Sequence, residues 1–116
     1  MTMHFGTIIF PVKDAARAKA LYTALLGVAP YVDTPYYVGF RAGDQEIGLD
    51  PNPGSMHTAP TPYADVADLE ATMKALVAAG ATVTQEPKPV GGGMRVAILA
   101  DVDGHPFGLR HGKPGV

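Results

Sequence analysis

The chain has 116 residues, of which 47% are hydrophobic and 17% charged, and its formal net charge is −2 at pH 7. This is enough apolar sequence for one domain, or for two small units sharing a core, and the charge offers no electrostatic surface for nucleic acid or an anionic membrane. Cysteine is absent, which excludes disulfides, thiolate metal sites and cysteine nucleophiles. Neither a secretory signal nor a bilayer-spanning apolar stretch is recognisable, so we predict a cytoplasmic protein without nucleic-acid or membrane partners.

The first half of the chain reads as a strand, a helix and three short strands. A β-rich run over 5–12 is followed by Asp14, whose carboxylate is suited to cap a helix over 15–26 that ends at Gly27. The apolar stripe of this helix is predicted at Ala18, Leu21, Tyr22 and Leu25. The three strands that follow are predicted at about 30–33, 36–41 and 45–50.

The second half repeats this order after a cluster of structure breakers over 51–55. A strand is predicted over 58–64, and Asp68 caps a helix through Ala79 whose apolar stripe includes Val77. Further strands are predicted at about 82–85, 94–99 and 107–111. We therefore predict the α+β class: a single domain of two tandem βαβββ units, approximately 1–52 and 57–116, with mostly antiparallel sheets.

The two halves also match at particular positions. Thr7 stands seven residues before the helix-capping Asp14, and Thr61 stands seven residues before Asp68. The run Glu46-Ile47-Gly48-Leu49 has a counterpart in Pro106-Phe107-Gly108-Leu109. These correspondences indicate an internal repeat.

The repeat and its motifs resemble the vicinal oxygen chelate superfamily, which includes glyoxalase I, extradiol dioxygenases and the bleomycin- and fosfomycin-resistance proteins. The resemblance covers nearly the whole chain and implies paired βαβββ units with curved sheets. Its motifs are Phe10-Pro11-Val12-Lys13-Asp14, Leu21-Tyr22, Leu26-Gly27, Ala67-Asp68-Leu69-Glu70-Ala71, Ala78-Ala79-Gly80-Ala81-Thr82-Val83 and Asp101-Val102-Asp103-Gly104-His105-Pro106-Phe107-Gly108-Leu109.

The same resemblance implies four metal-ligand positions, one on the first and one on the last strand of each unit. In this chain they are occupied by Thr7, Gly48, Thr61 and Gly108. None suits a divalent cation, which requires several imidazole or carboxylate donors at fixed geometry. We therefore predict no metal and no other cofactor.

Three histidines are the remaining candidates for a relocated metal site. His4 has the wrong strand parity to face the same side as Thr7, and His57 lies near the predicted joint between the units. We interpret both as surface or terminal residues, and His105 as part of a turn or of a pocket rim. A relocated metal site formed by them stays open at this point.

The two strand glycines predict a binding groove, because an inward-facing glycine leaves space where a side chain would stand. Alternation along the strands places charged and apolar residues around this space. The predicted ligand-binding residues are Thr7, Ile9, Glu46, Gly48, Asp50, Thr61, Tyr63, Gly108 and Arg110. The competing interpretation is a tightly packed sheet without a cavity.

From these observations we predict a metal-independent small-molecule-binding protein, such as one that sequesters an organic or antibiotic-like ligand. A homodimer is expected, since a symmetric pair would cover exposed sheet surfaces and build two equivalent clefts. The alternative is a lyase, isomerase or dioxygenase-like enzyme with an atypical site, for which no catalytic residue is identified. A structural or regulatory domain without a ligand is the third interpretation.

Overall fold

The structure, a computed structural model, describes residues 3–52 and 54–112. Within them the element order is βαβββ twice, which confirms the α+β prediction. The elements are β1 (Phe5–Pro11), α1 (Ala15–Leu26), β2 (Val32–Asp33), β3 (Val38–Ala42), β4 (Gln45–Asp50), β5 (Thr61–Asp65), α2 (Leu69–Ala78), β6 (Thr82–Gly91), β7 (Met94–Ala100) and β8 (Pro106–His111). Pro53, in the middle of the predicted joint, lies outside the described residues.

The chain divides into two compact units. The N-terminal unit is Gly6–Thr61, and the C-terminal unit combines Met1–Phe5 with Pro62–Val116. Each contains a four-stranded sheet, ordered β2-β3-β4-β1 in the first and β5-β8-β7-β6 in the second. In each sheet one neighbouring pair is parallel and the other two are antiparallel.

In the N-terminal unit, one face of the sheet forms the core with α1. Alternation along the strands directs every second side chain to that face, where Phe40 and Leu49 are fully buried. The helix contributes Ala18, Tyr22 and Leu26. The opposite face, which we call the helix-free face of this unit, therefore carries the intervening residues of each strand.

Helix α1 begins and ends as predicted, but the row of partly buried side chains that packs on the sheet is not the expected one. The Asp14 carboxylate accepts a hydrogen bond from the amide of Arg17 at 3.1 Å, and Gly27 closes the helix in the left-handed conformation with φ 72°. Leu21 and Leu25, predicted to be buried, are 60% and 70% exposed. Because the helix is only weakly amphipathic, its sequence does not determine which of two adjacent apolar rows packs on the sheet.

The C-terminal unit has an equivalent core. Leu69 and Met73 of α2 are buried against β5, β7 and β8, and the Asp68 carboxylate caps the helix through the amide of Ala71 at 3.0 Å. Val77, predicted for the buried stripe, is 48% exposed. The other buried residues of this core are Ala64, Val66, Ala97, Leu99 and Leu109.

Two strand boundaries differ from the sequence prediction by three residues or more. Strand β5 begins at Thr61 rather than at residue 58, directly after Pro60, which has no amide to donate to a ladder. Strand β6 continues to Gly91 rather than ending at residue 85. Its pairing with β7 contains register shifts, and an edge position tolerates the two prolines of this segment.

Candidate functional site

The four positions that the resemblance assigns to metal ligands carry no donor set for a cation. The Thr7 hydroxyl donates to Glu46 Oε1 at 3.0 Å, and the Thr61 hydroxyl donates to the carbonyl of Ala59 at 2.8 Å. The other two positions are glycines, which supply no side chain at all. Two hydroxyls already donating within the chain do not fit a resident divalent cation.

The space above Gly48 is filled by a neighbouring side chain of the same unit. A Cβ atom added to this glycine would stand less than 3.0 Å from Tyr37 Oη, Tyr37 Cε1 and Ile9 Cδ1. Ile9 is its register partner on β1, and Gly39 is its partner on β3. Tyr37 also covers Gly39, where an added Cβ would stand 2.9 Å from Tyr37 Cε2.

Gly108 is covered in the same way in the C-terminal unit. Tyr63 is its register partner on β5, and an added Cβ would stand less than 3.0 Å from three atoms of the Tyr63 ring. This tyrosine is only 4% exposed. The prediction that the two glycines leave an open floor is therefore corrected: aromatic rings of the chain occupy that volume, because a strand glycine admits a neighbouring ring as readily as a ligand.

Glu46 is the centre of a polar cluster on the helix-free face of the N-terminal unit. It is the register partner of Thr7 on β1 and of Arg41 on β3. Its carboxylate accepts hydrogen bonds from the hydroxyls of Thr7 and Tyr31. The Arg41 guanidinium lies over the Tyr31 ring, 4.6 Å from its centroid, at cation–π distance.

A second polar cluster lies at the end of β4, around Asp50. Its Oδ1 accepts hydrogen bonds from the backbone and side-chain amides of Asn52 at 3.0 and 2.8 Å. Its Oδ2 accepts from the Ser55 hydroxyl at 2.5 Å and contacts His57 Nδ1 at 2.7 Å. Burial raises the pKa of Asp50, but the hydrogen bonds from Ser55, His57 and Asn52 together bring it below its ordinary value of 3.8.

His57 is therefore not the surface residue that the sequence suggested. Its side chain is 13% exposed, and that of Asp50 is 9% exposed. Ser55 and His57 both contact Asp50 at the end of β4, and Ser55 accepts a hydrogen bond from the amide of His57 at 2.9 Å. The side chain of Asn52, which also donates to Asp50, donates to the carbonyl of Tyr36, the residue before Tyr37, at 2.9 Å.

Of the other predicted residues, Arg110 lies on the helix-free face of the C-terminal unit. Its Nε donates to Asp65 Oδ1 at 2.7 Å, across the β5–β8 register pair. His105 is exposed in the turn before β8, where Asp101 Oδ1 accepts from the amides of Asp103 and His105 at 2.9 Å. His4 lines an apolar cavity of about 210 Å³ in the same unit, away from the predicted ligand residues.

The structure thus brings the predicted residues into separate groups. Within the N-terminal unit they are Thr7, Ile9, Glu46, Gly48 and Asp50, which share the helix-free face. Sequence reasoning missed their aromatic and polar neighbours Tyr31, Tyr37 and Ser55. The sequence does contain a signal for the tyrosines, because both precede a strand that contains Gly39. This glycine pairs with Gly48, and two opposed glycines leave a gap that large neighbouring side chains fill.

The sequence and the fold together define the class of protein. Residues 4–109 match the family model of the Glyoxalase/Bleomycin resistance protein/Dioxygenase superfamily, and the chain belongs to this superfamily. No curated protein matches the sequence. Among the described residues, no helix combines the length and the apolar character needed to cross a bilayer.

Solved structures share the fold at low sequence identity. A superfamily member from Vibrio splendidus 12B01 has a TM-score of 0.72 and 14% identity, covering 95% of this chain and 98% of that one. The methylmalonyl-CoA epimerase from Mycobacterium tuberculosis has a TM-score of 0.67 and 18% identity, covering 93% and 87%. The NAD-dependent benzaldehyde dehydrogenase from Legionella pneumophila has a TM-score of 0.76 and 18% identity, covering 92% and 98%. At these identities the similarity concerns the fold alone.

Proposed function

We propose that this protein is a metal-independent small-molecule-binding member of the superfamily, which sequesters an organic, antibiotic-like ligand. The observation that carries the proposal is the pairing of a glycine with a tyrosine at two of the four positions that the resemblance assigns to metal ligands. Tyr37 stands against Gly48 and Tyr63 against Gly108, each within the volume that a ligating side chain would need. At Gly48 the half-buried Tyr37 ring supplies aromatic surface suited to stacking on a planar organic molecule, whereas at Gly108 the Tyr63 ring is 4% exposed and fills the position.

The N-terminal unit offers the groups for such binding on its helix-free face. Tyr31 and Tyr37 supply aromatic surface, and Arg41 supplies a cation stacked on one of the rings. Glu46 is held in place by two hydroxyl donors and can orient a polar group of the ligand. Sequestration requires shape, stacking and a few oriented charges, and it requires no nucleophile.

The predicted contacts on β5 and β8 belong to the same proposal. They are Thr61, Tyr63, Gly108 and Arg110. We place the protein in the cytoplasm as a homodimer with two equivalent ligand sites. Light scattering of the purified protein tests the dimer, and a monomeric mass at working concentration would contradict it.

The test of the binding function combines metal analysis with a thermal-shift screen. We expect purified protein to contain no stoichiometric metal, and divalent cations to leave its melting temperature unchanged. Planar aromatic compounds should raise the melting temperature, because a ligand that binds only the folded state stabilises it. A stoichiometric metal that is removed by chelator with loss of stability would refute the proposal.

A matched pair of variants then locates the site. Tyr37→Leu removes the ring that covers Gly48, and we expect it to abolish the shift produced by the aromatic compounds. Tyr36→Leu is the control, since this neighbouring ring is 72% exposed. If both variants respond to the compounds like the wild type, the ligand binds elsewhere.

A catalytic function is the second candidate, and the contact between Asp50 and His57 is the observation that favours it. A carboxylate that holds one nitrogen of an imidazole is the usual arrangement of a general base. A lyase or isomerase of this kind would exchange the acidic C–H protons of its substrate with solvent. NMR of small carbonyl compounds incubated with the protein in D₂O measures this exchange, and exchange that persists in His57→Asn excludes His57 as the base.

A further inference from the structure

The C-terminal unit contains an apolar cavity of about 210 Å³ between helix α2 and the sheet. Val66 and Leu109 form its floor and are only 7% and 3% exposed. Thr72 and Leu76 line it from the helix. The cavity therefore borders the hydrophobic core of this unit directly.

The first described residues of the chain line the other side of this cavity. Met3 and Phe5 are 56% and 49% exposed, so the cavity is reached from solvent past their side chains. Of the described residues that line it, His4 alone is titratable, and it is exposed. The Thr72 hydroxyl donates to the carbonyl of Asp68 at 2.7 Å, within its own helix. The lining thus offers apolar contact and is poorly suited to a charged or strongly hydrated molecule.

The internal repeat shows why this unit has a cavity. Phe10 and Ala64 each stand four residues before the aspartate that caps the helix of their unit, and Tyr22 and Leu76 each stand eight residues after it. In the N-terminal unit the rings of Phe10 and Tyr22 pack together on the core, with their centroids 5.4 Å apart. In the C-terminal unit the smaller Ala64 and Leu76 take these positions, and both line the cavity. The cavity therefore lies where the N-terminal unit has an aromatic ring.

The volume of the cavity agrees with the absence of one ring. Apolar cavities of about 150 Å³ in proteins bind benzene. At about 210 Å³ this cavity accommodates a six-membered ring with one or two further carbon atoms. A molecule of that size would regain the dispersion contacts that Ala64 leaves unmade in comparison with Phe10.

We propose that this cavity is a second binding site, for a small uncharged molecule with one apolar six-membered ring, which takes the place that the Phe10 ring has in the N-terminal unit. The site goes beyond the proposed function, because it lies on the side of the sheet that carries α2 and uses none of the residues assigned to the ligand above. A single polar substituent on the ring is accommodated at the open side, beside Met3 and Phe5.

The test uses cyclohexanol and inositol, two saturated six-membered rings that differ in polarity. In methyl NMR spectra, cyclohexanol should shift the resonances of Val66, Leu76 and Leu109 with a dissociation constant of about 1 mM. Inositol should leave them unshifted, because its hydroxyl groups would lose their hydration in an apolar cavity. Val38 and Leu49, in the core of the N-terminal unit, are the internal reference. Unshifted cavity resonances, or equal shifts with inositol, would overturn the inference.

Two filling variants and one control locate the site. Ala64→Phe introduces the ring that the N-terminal unit has at this position, so it should abolish the cyclohexanol shifts and raise the melting temperature. Thr72→Leu fills the cavity from the helix and covers the case in which the larger ring overpacks the core, because leucine has the higher helix propensity. Ala75→Leu is the control, since it adds the same side chain at an exposed position of α2 outside the lining. Binding that persists in a folded filling variant, or is lost equally in the control, would overturn the inference.

The saturated probe separates this site from the proposed function, because cyclohexanol has no flat aromatic face to stack on Tyr37. Its shifts should remain in Tyr37→Leu, and their loss there would overturn the inference. If cyclohexanol binds while every aromatic compound fails in the thermal-shift screen, the proposed function is removed and this site stands. If the aromatic compounds act through Tyr37 while cyclohexanol fails, this site is removed and the proposed function stands.

Discussion

The covering of Gly108 by Tyr63 leads to a stability prediction with an unusual sign. In an ordinary strand, Gly→Ala is stabilising by about 0.5–1 kcal/mol because alanine loses less backbone entropy on folding. Here the added methyl group would stand less than 3.0 Å from the Tyr63 ring. That ring is 4% exposed, so a shift of the ring would press on the residues packed around it.

The magnitude follows from weighing these two effects. Forcing an extra methyl group into a packed site costs about 1–3 kcal/mol, which exceeds the entropic gain of about 0.5–1 kcal/mol. We expect Gly108→Ala to lower the free energy of unfolding by about 1–2 kcal/mol. Gly48→Ala should cost less, because the nearest atoms there include the side-chain ends Tyr37 Oη and Ile9 Cδ1, which can shift.

Urea unfolding followed by circular dichroism measures both effects, with the slope m expected to stay unchanged. A double-mutant cycle with Tyr63→Leu isolates the steric clash between the added methyl group at position 108 and the Tyr63 ring. In that background Gly108→Ala should become neutral or stabilising, because the ring is no longer present. A Gly108→Ala variant that is more stable than the wild type, or one equally destabilised in both backgrounds, would refute the packing argument.

Three further predictions concern the hydrogen bonds and the core. Asp50→Asn should lower the free energy of unfolding by about 1–3 kcal/mol at neutral pH, since an amide cannot accept all four hydrogen bonds. The stability difference between the wild type and this variant should be complete above pH 3.8, and it should disappear as the pH falls through the lower pKa of Asp50 in the folded state. Chemical unfolding at several pH values measures this difference. Asp14→Ala and Asp68→Ala should each cost about 1 kcal/mol in urea unfolding, with Asp68→Asn as a nearly neutral control. Phe40→Ala should cost about 3–5 kcal/mol, because this side chain is fully buried; a loss below about 1 kcal/mol would contradict its place in the core.

The parts of the fold that sequence could predict are those fixed by local chemistry. Asp14 and Asp68 predict the starts of their helices because an aspartate at the N-cap accepts hydrogen bonds from free backbone amides of the first turn, an interaction that does not depend on tertiary contacts. The βαβββ order follows from the alternation of such signals with turns. The side of α1 that packs on the sheet was harder to predict. Leu21 and Leu25 form a row on the helix surface that is as apolar as the row that packs on the sheet.

The candidate site could not be predicted in full, because it includes contacts that the alternation of residues along a strand does not determine. Tyr37 lies just before β3, outside the strand whose alternation can be read, and the Thr34 hydroxyl sets its turn by accepting from the amide of Tyr37 at 3.0 Å. The approach of His57 to Asp50 depends on how the intervening segment closes. A sequence shows both residues, but their distance is a property of the folded chain.

The pairing of glycine with tyrosine also bears on how the chain can change over evolutionary time. A glutamate introduced at Gly108 would meet the ring of Tyr63, and one at Gly48 would meet Tyr37. Placing a glutamate at either position therefore needs paired substitutions, in which a smaller residue replaces the tyrosine as the glutamate is introduced. Each single step passes through an overpacked intermediate of reduced stability. The two aromatic rings thus act against single substitutions that would place a ligating side chain at these two positions.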